Sequence, residues 1–140
     1  MIRRIIRCGF LALGCLMAFG AGPLLAQSKS VCSIVQYKAC YNDGECFDSP
    51  ADPADSPAFI TIDGDAGVVH ATEPRFSDRS SPILTSNEED GRLMLTGVQE
   101  GRAWSVTVVE ETGEMSLAIS DPEEAILVFG RCVSVETLDR

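Results

Sequence analysis

His70 is the single histidine of this 140-residue chain, so any Ser–His–Asp chemistry would have to be built on it. Ser77, Ser80 and Ser81 are the nucleophiles within its neighbourhood. A Gly-x-Ser-x-Gly turn, which would lift a serine out of a strand and expose its hydroxyl, is absent. His70, beside Ala71, therefore reads as an ordinary strand histidine. The 21 acidic residues offer many pairs for a glycosidase-type acid and base, but at that abundance nearness in sequence singles none of them out. A cryptic carboxylate-based hydrolase stays as an alternative, and no catalytic residue is assigned. Asp63-Gly64-Asp65 and Asn42-Asp43-Gly44-Glu45 hint at calcium, but neither has the twelve-residue loop closed by a bidentate Glu. Both read as turns. No metal site and no cofactor is expected, and no glycine-rich phosphate loop is present.

The cysteines carry more. Their meaning depends on compartment, and the first 26 residues decide it. Arg3, Arg4 and Arg7 precede an apolar run from Cys8 to Phe19; Gly20, Ala21, Gly22 and Pro23 break it, and Leu24-Leu25-Ala26 offers a cleavage site. This is the pattern of a secretory signal peptide, and the run is short of the roughly 20 residues that span a bilayer. A lipoprotein reading would use Cys15, but Ala12 stands where leucine is favoured. Residues 1–26 are expected to be removed, leaving one domain, 27–140, of 114 residues (140 − 26), with no membrane span and a periplasmic or secreted location. It keeps Cys32, Cys40, Cys46 and Cys132, which in an exported domain of this size imply two disulfides.

All 21 acidic residues remain after cleavage against eight of the 11 basic ones, a net charge of −13 (8 − 21). That surface repels nucleic acid and anionic lipid and attracts cationic proteins.

Past the leader the apolar residues recur with period two. Strands are expected over 31–38, 59–62, 68–71, 83–85, 93–98, 103–110, 115–120 and 125–133, linked by short turns that contain Gly or Pro. The fold class is all-β: a small antiparallel up-and-down barrel, or barrel-like meander, of about eight strands. Residues 48–58, with Pro50, Pro53 and Pro57, read as an exposed loop. Trp104, Val106 and Val108 share one strand face and are the candidate lining of an interior cavity. Residues 126–129 are apolar on both faces, which suggests a cover on their outer side, with the proline-rich segment as the candidate. In an even-numbered meander the first and last strands run antiparallel. The start of the first then lies beside the end of the last, so Cys32–Cys132 would stitch the seam and Cys40–Cys46 would staple the loop between them.

The frame resembles the short, exported, cysteine-containing proteins of uncharacterised function found in alphaproteobacteria. The resemblance rests on the Cys32…Cys40…Cys46 cluster, the strand from Trp104 to Glu110 with its Thr112-Gly113 turn, and the terminal Gly130-Arg131-Cys132. That group implies no activity. The architecture also looks like the small barrels of periplasmic lysozyme inhibitors, whose Ser-Gly-x-x-Tyr signature is missing here, so no inhibitory residue carries over. The expected function is a non-catalytic binding or interaction module. A cationic protein is the candidate partner, and inhibition of a cationic hydrolase such as lysozyme is the alternative role.

Overall fold

The computed structural model describes residues 29–50 and 56–138. The signal-peptide reading at 1–26 and the middle of the proline-rich segment lie outside the described residues. Nine strands follow in chain order: β1 Lys29–Tyr41, β2 Cys46–Pro50, β3 Phe59–Asp63, β4 Val68–Ala71, β5 Ser80–Glu89, β6 Arg92–Gln99, β7 Arg102–Val109, β8 Glu114–Ser120 and β9 Glu124–Ser134. Every pairing is antiparallel, and β1 pairs with both β3 and β9, so eight strands close into a ring with β2 as an extra edge strand. Closure removes the open edges that a sheet of this size would otherwise expose.

The turns explain the meander. At β5–β6 and β6–β7 the two central residues, Asp90-Gly91 and Glu100-Gly101, all have positive φ. That is the geometry whose twist matches two flanking strands, and glycine adopts it without strain. All eight expected strands are present.

The difference is β2. Residues 48–50, read as the start of a loop, continue a strand that pairs with Gln36–Lys38 of β1. Proline is tolerated there because β2 is bonded on one side only and Pro50 ends it. β1 thus meets two partners on the same side, β3 along its first five residues and β2 further up, and on its other side its ladder with β9 shifts register between Ile34 and Gln36.

The core lies inside the ring. Leu93 and Leu95 of β6, Trp104, Val106 and Val108 of β7, Met115 of β8 and Ile60 and Ile62 of β3 are buried around Cys32 and Cys132. Strand alternation puts them there: β7 reads buried at 104, 106 and 108 and more open between. At roughly 25 cal/mol per Å² of apolar surface removed from water, these side chains dominate the stability of the ring. Both expected disulfides form. Cys32–Cys132 and Cys40–Cys46 join directly opposed residues of neighbouring strands. On the outer side of β9, Leu127 and Phe129 remain exposed, contrary to the cover their apolarity suggested.

Candidate functional site

The interior offers little room. Leu95, Val106 and Cys32 are fully buried. Trp104 Nε1 donates to Ser81 Oγ at 2.6 Å, and Ser81 Oγ donates in turn to the Val98 carbonyl at 3.2 Å. The indole lies against Gly97, its cross-strand partner, where a Cβ would collide with the ring. Trp104, Val106 and Val108 therefore meet in the core, with the one polar atom of the indole satisfied.

Two hollows open elsewhere. One, of about 260 Å³, sits at the lower mouth of the ring between the Gly64–Gly67 turn and β5, with Ile62, Leu93 and Leu95 at its base. It is smaller than the 300–1,000 Å³ usual for ligand pockets. The other is a trough of about 590 Å³ lined by residues of β1, β6, β7, β8 and β9, among them Val35, Arg92, Thr107, Glu114, Phe129 and Arg131. Trp104, Val106 and Val108 line neither.

The residues with catalytic potential are spread apart. Ser81 faces inward and is bonded to Trp104. Ser77 ends a 3-10 turn, with its N–H on the Pro74 carbonyl. Ser80 does lie opposite His70 across the β4–β5 ladder, but His70 Nδ1 sits 3.0 Å from the Ala71 carbonyl. Nearby Asp63 is already committed: it accepts the Ala66 N–H at 2.9 Å and pairs with Lys29 at 3.1 Å. These contacts, the backbone bond first, hold its pKa below the usual carboxylate value. Among the described residues no group of three or more His, Cys, Asp or Glu side chains is placed to hold a metal ion.

The upper end of the molecule is different. There β1 and β2 form a hairpin around residues 42–45, closed by Cys40–Cys46 and by backbone bonds Tyr41 N to Glu45 O (2.9 Å) and Gly44 N to Tyr41 O (3.0 Å). Gly44 has φ +91° and so turns the chain where other residues would be strained. Asp43 Oδ1 accepts the Glu45 N–H at 3.0 Å, completing an Asx turn. Tyr41 and Phe47 stand edge to face with ring centroids 6.2 Å apart. They are 44% and 55% exposed. By alternation they continue the face that carries Tyr37 and Ala39, which lower down is the inside of the ring.

The neighbouring β8–β9 turn supports this hairpin: Glu123 O accepts the Asn42 N–H at 3.0 Å. That turn is itself braced. Asp121 Oδ1 accepts the N–H groups of Glu123 (2.8 Å) and Glu124 (3.0 Å), and Arg102 bonds both Asp121 (2.8 Å) and Glu124. The Glu123 amide, then the Glu124 amide, and Arg102 lower the Asp121 pKa; Glu124 chiefly raises that of Arg102. In the two turns joined by the Asn42–Glu123 bond, Asp43, Glu45 and Glu123 are exposed.

No known protein family, curated protein or solved structure matches the chain.

Proposed function

We propose that this is an exported, non-catalytic interaction protein that binds a cationic protein through its outer surface. The observation that carries the reading is how the positive charges are used. Lys29 pairs with Asp63, Lys38 with Asp48, Arg102 with Asp121 and Glu124, and Arg131 with Glu114. Among the described residues these four cations are thus matched to carboxylates within the molecule, and with 21 acidic residues against eight basic ones in 27–140 the field is strongly negative. Such a field steers a basic partner and suppresses acidic ones. The filled interior favours the outer surface over an enclosed ligand. Export is supported by the leader-like residues 1–26 and by two disulfides, which persist in oxidising compartments. Among the described residues no helix is long and apolar enough to cross a membrane.

The test uses purified residues 27–140 and lysozyme as a cationic probe. Saturable binding is expected at about 0.15 M salt. It should weaken toward about 1 M as the Debye length shrinks from about 8 Å to about 3 Å. Absence of binding at about 0.15 M overturns the cationic-partner reading. Loss of lysozyme turnover on binding would narrow the partner to that class of hydrolase.

A further inference from the structure

We infer that the tip of the β1–β2 hairpin is the docking site, and that it takes a basic side chain, arginine above all, from a cationic protein partner. This rests on the cationic-partner reading and says where the contact lies. Three observations on the molecule converge there.

The first is that β2 adds little to the core. Cys46, Phe47 and Asp48 are all exposed, and the strand is bonded to β1 alone. Ordering such a segment costs conformational entropy that burial does not offset. A covalent bond nevertheless fixes it, with Cys40–Cys46 spanning only six residues. The second is that the exposed aromatics are paired. Single exposed apolar side chains are ordinary on a protein surface. Tyr41 and Phe47 touch each other at the extremity of the fold, held by a disulfide, a four-residue turn and the Asn42–Glu123 bond. Exposed aromatics of this kind anchor interfaces, and fixing them in advance lowers the ordering cost of binding.

The third is charge. Asp43 and Glu45 are exposed in the turn that joins Tyr41 to Phe47, and Glu123 is exposed in the β8–β9 turn whose backbone bonds that hairpin. Lys38, the nearest cation along β1, is engaged by Asp48 at 3.2 Å, and Arg102 lies within its own carboxylate pair. An aromatic face attracts a cation, and a carboxylate beside it supplies the hydrogen-bond acceptor. A guanidinium uses both, stacking on a ring while its planar fork reaches a carboxylate. The trough near Arg92 and Arg131 lacks this agreement. An anion drawn there would enter against the negative field of the whole domain, and Arg131 already lies 3.8 Å from Glu114.

The experiment compares the wild-type domain with the double variant Tyr41→Ala, Phe47→Ala. Both cysteine pairs stay intact, and an unchanged urea midpoint verifies folding. Lysozyme serves as the cationic protein and a tri-arginine peptide as the side-chain probe, read by the aromatic proton resonances of Tyr41 and Phe47. The expected result is ring shifts on adding the peptide, and lysozyme affinity at least about tenfold weaker in the variant. A second variant, Glu45→Gln with Glu123→Gln, keeps the rings and should slow lysozyme association while its salt dependence flattens. If the aromatic variant binds lysozyme as tightly as wild type and the peptide leaves the rings unmoved, the site is wrong, although the acidic surface still binds cations. If the peptide moves the rings and lysozyme fails to bind, the site stands and the protein-partner reading falls. Dimerisation through the same rings, seen by sedimentation as a concentration-dependent mass, would overturn the proposal in favour of a second copy.

Discussion

Below Val35, β1 runs between β3 and β9 inside the closed ring; above it, the same strand runs between β9 and β2, with Tyr37 packed against the core and the end of its apolar face, at Tyr41, exposed. Each half holds a disulfide to the strand beside it, yet the two bonds sit in opposite surroundings. Cys32 is 0% exposed and its partner Cys132 is 7% exposed. Cys46 is exposed and Cys40 half-buried. The lower bond closes a separation of 100 residues and the upper one of six. Identical chemistry therefore does two jobs: the buried bond locks the seam of the fold, and the exposed one holds a surface feature in shape. Val35 divides them, 67% exposed at the register shift. Without that extra residue the inward face of one half would become the outward face of the other.

The largest expected effect breaks the lower half. Replacing Cys32 and Cys132 together by Ala should cost about 4–5 kcal/mol on the chain-entropy account of a long loop. Urea unfolding of the variant should show a midpoint far below wild type. A loss no greater than that from removing Cys40–Cys46 would erase the distinction between the two halves.

The upper half should respond differently. A double Cys40→Ser, Cys46→Ser variant removes a closure worth roughly 2 kcal/mol on the same account. The global urea transition should register only part of it, because β2 can detach while the ring stays shut. Amide exchange at Phe47 and Asp48 should rise strongly while exchange at Cys32 and Val106 stays slow. Mild reductant on the wild-type domain should open Cys40–Cys46 first, since only that pair presents an exposed sulfur-bearing residue. Simultaneous reduction of both bonds would show that the ring opens as readily as the hairpin.

How much of this contrast the sequence reveals depends on register. The eight ring strands are legible because their apolar residues alternate over a filled interior and their turns hold Gly or Pro at short spacing. The Cys32–Cys132 pairing follows from strand order alone. β2 is not legible from composition, since Pro50, Pro53 and Pro57 among Asp, Ser and Ala point to coil. The signal that could have found it is the Asn-Asp-Gly turn between Cys40 and Cys46, a hairpin cue with a staple across it. The acidity of the surface is readable in the composition. The neutralisation of its cations is not: Lys29 and Asp63, Lys38 and Asp48, and Arg131 and Glu114 are direct cross-strand partners, a fact of pairing register. The bond from Trp104 to Ser81 is hidden for the same reason. Phe76, between the expected strands at 68–71 and 83–85, is buried with the guanidinium carbons of Arg75 and Arg79 each 4.6 Å from its ring centre.

The smallest effect sharpens the comparison at the rim from which the hairpin projects. Asp121 braces the turn that accepts the Asn42 N–H, and its pKa is lowered from 3.8, first by the Glu123 amide, then by the Glu124 amide and Arg102. A carboxyl whose pKa is lower folded than unfolded stabilises the fold at pH above the unfolded value. That contribution fades as pH falls through the folded value, when the proton returns. Asp121→Asn should therefore lower the urea midpoint slightly at about pH 7, and the gap to wild type should narrow as pH falls through the lowered folded pKa and the Asp121 carboxylate takes up its proton. Asp63→Asn, at the lower rim, should show the same sign, because the Ala66 amide and Lys29 lower that pKa too. The two variants should differ in where the loosening appears. In Asp121→Asn, amide exchange should quicken at Asn42 and through the hairpin while Cys32 keeps its protection. Equal quickening at Cys32 would mean that the two halves of β1 open together, and that the hairpin is as much a part of the ring as the strands below it.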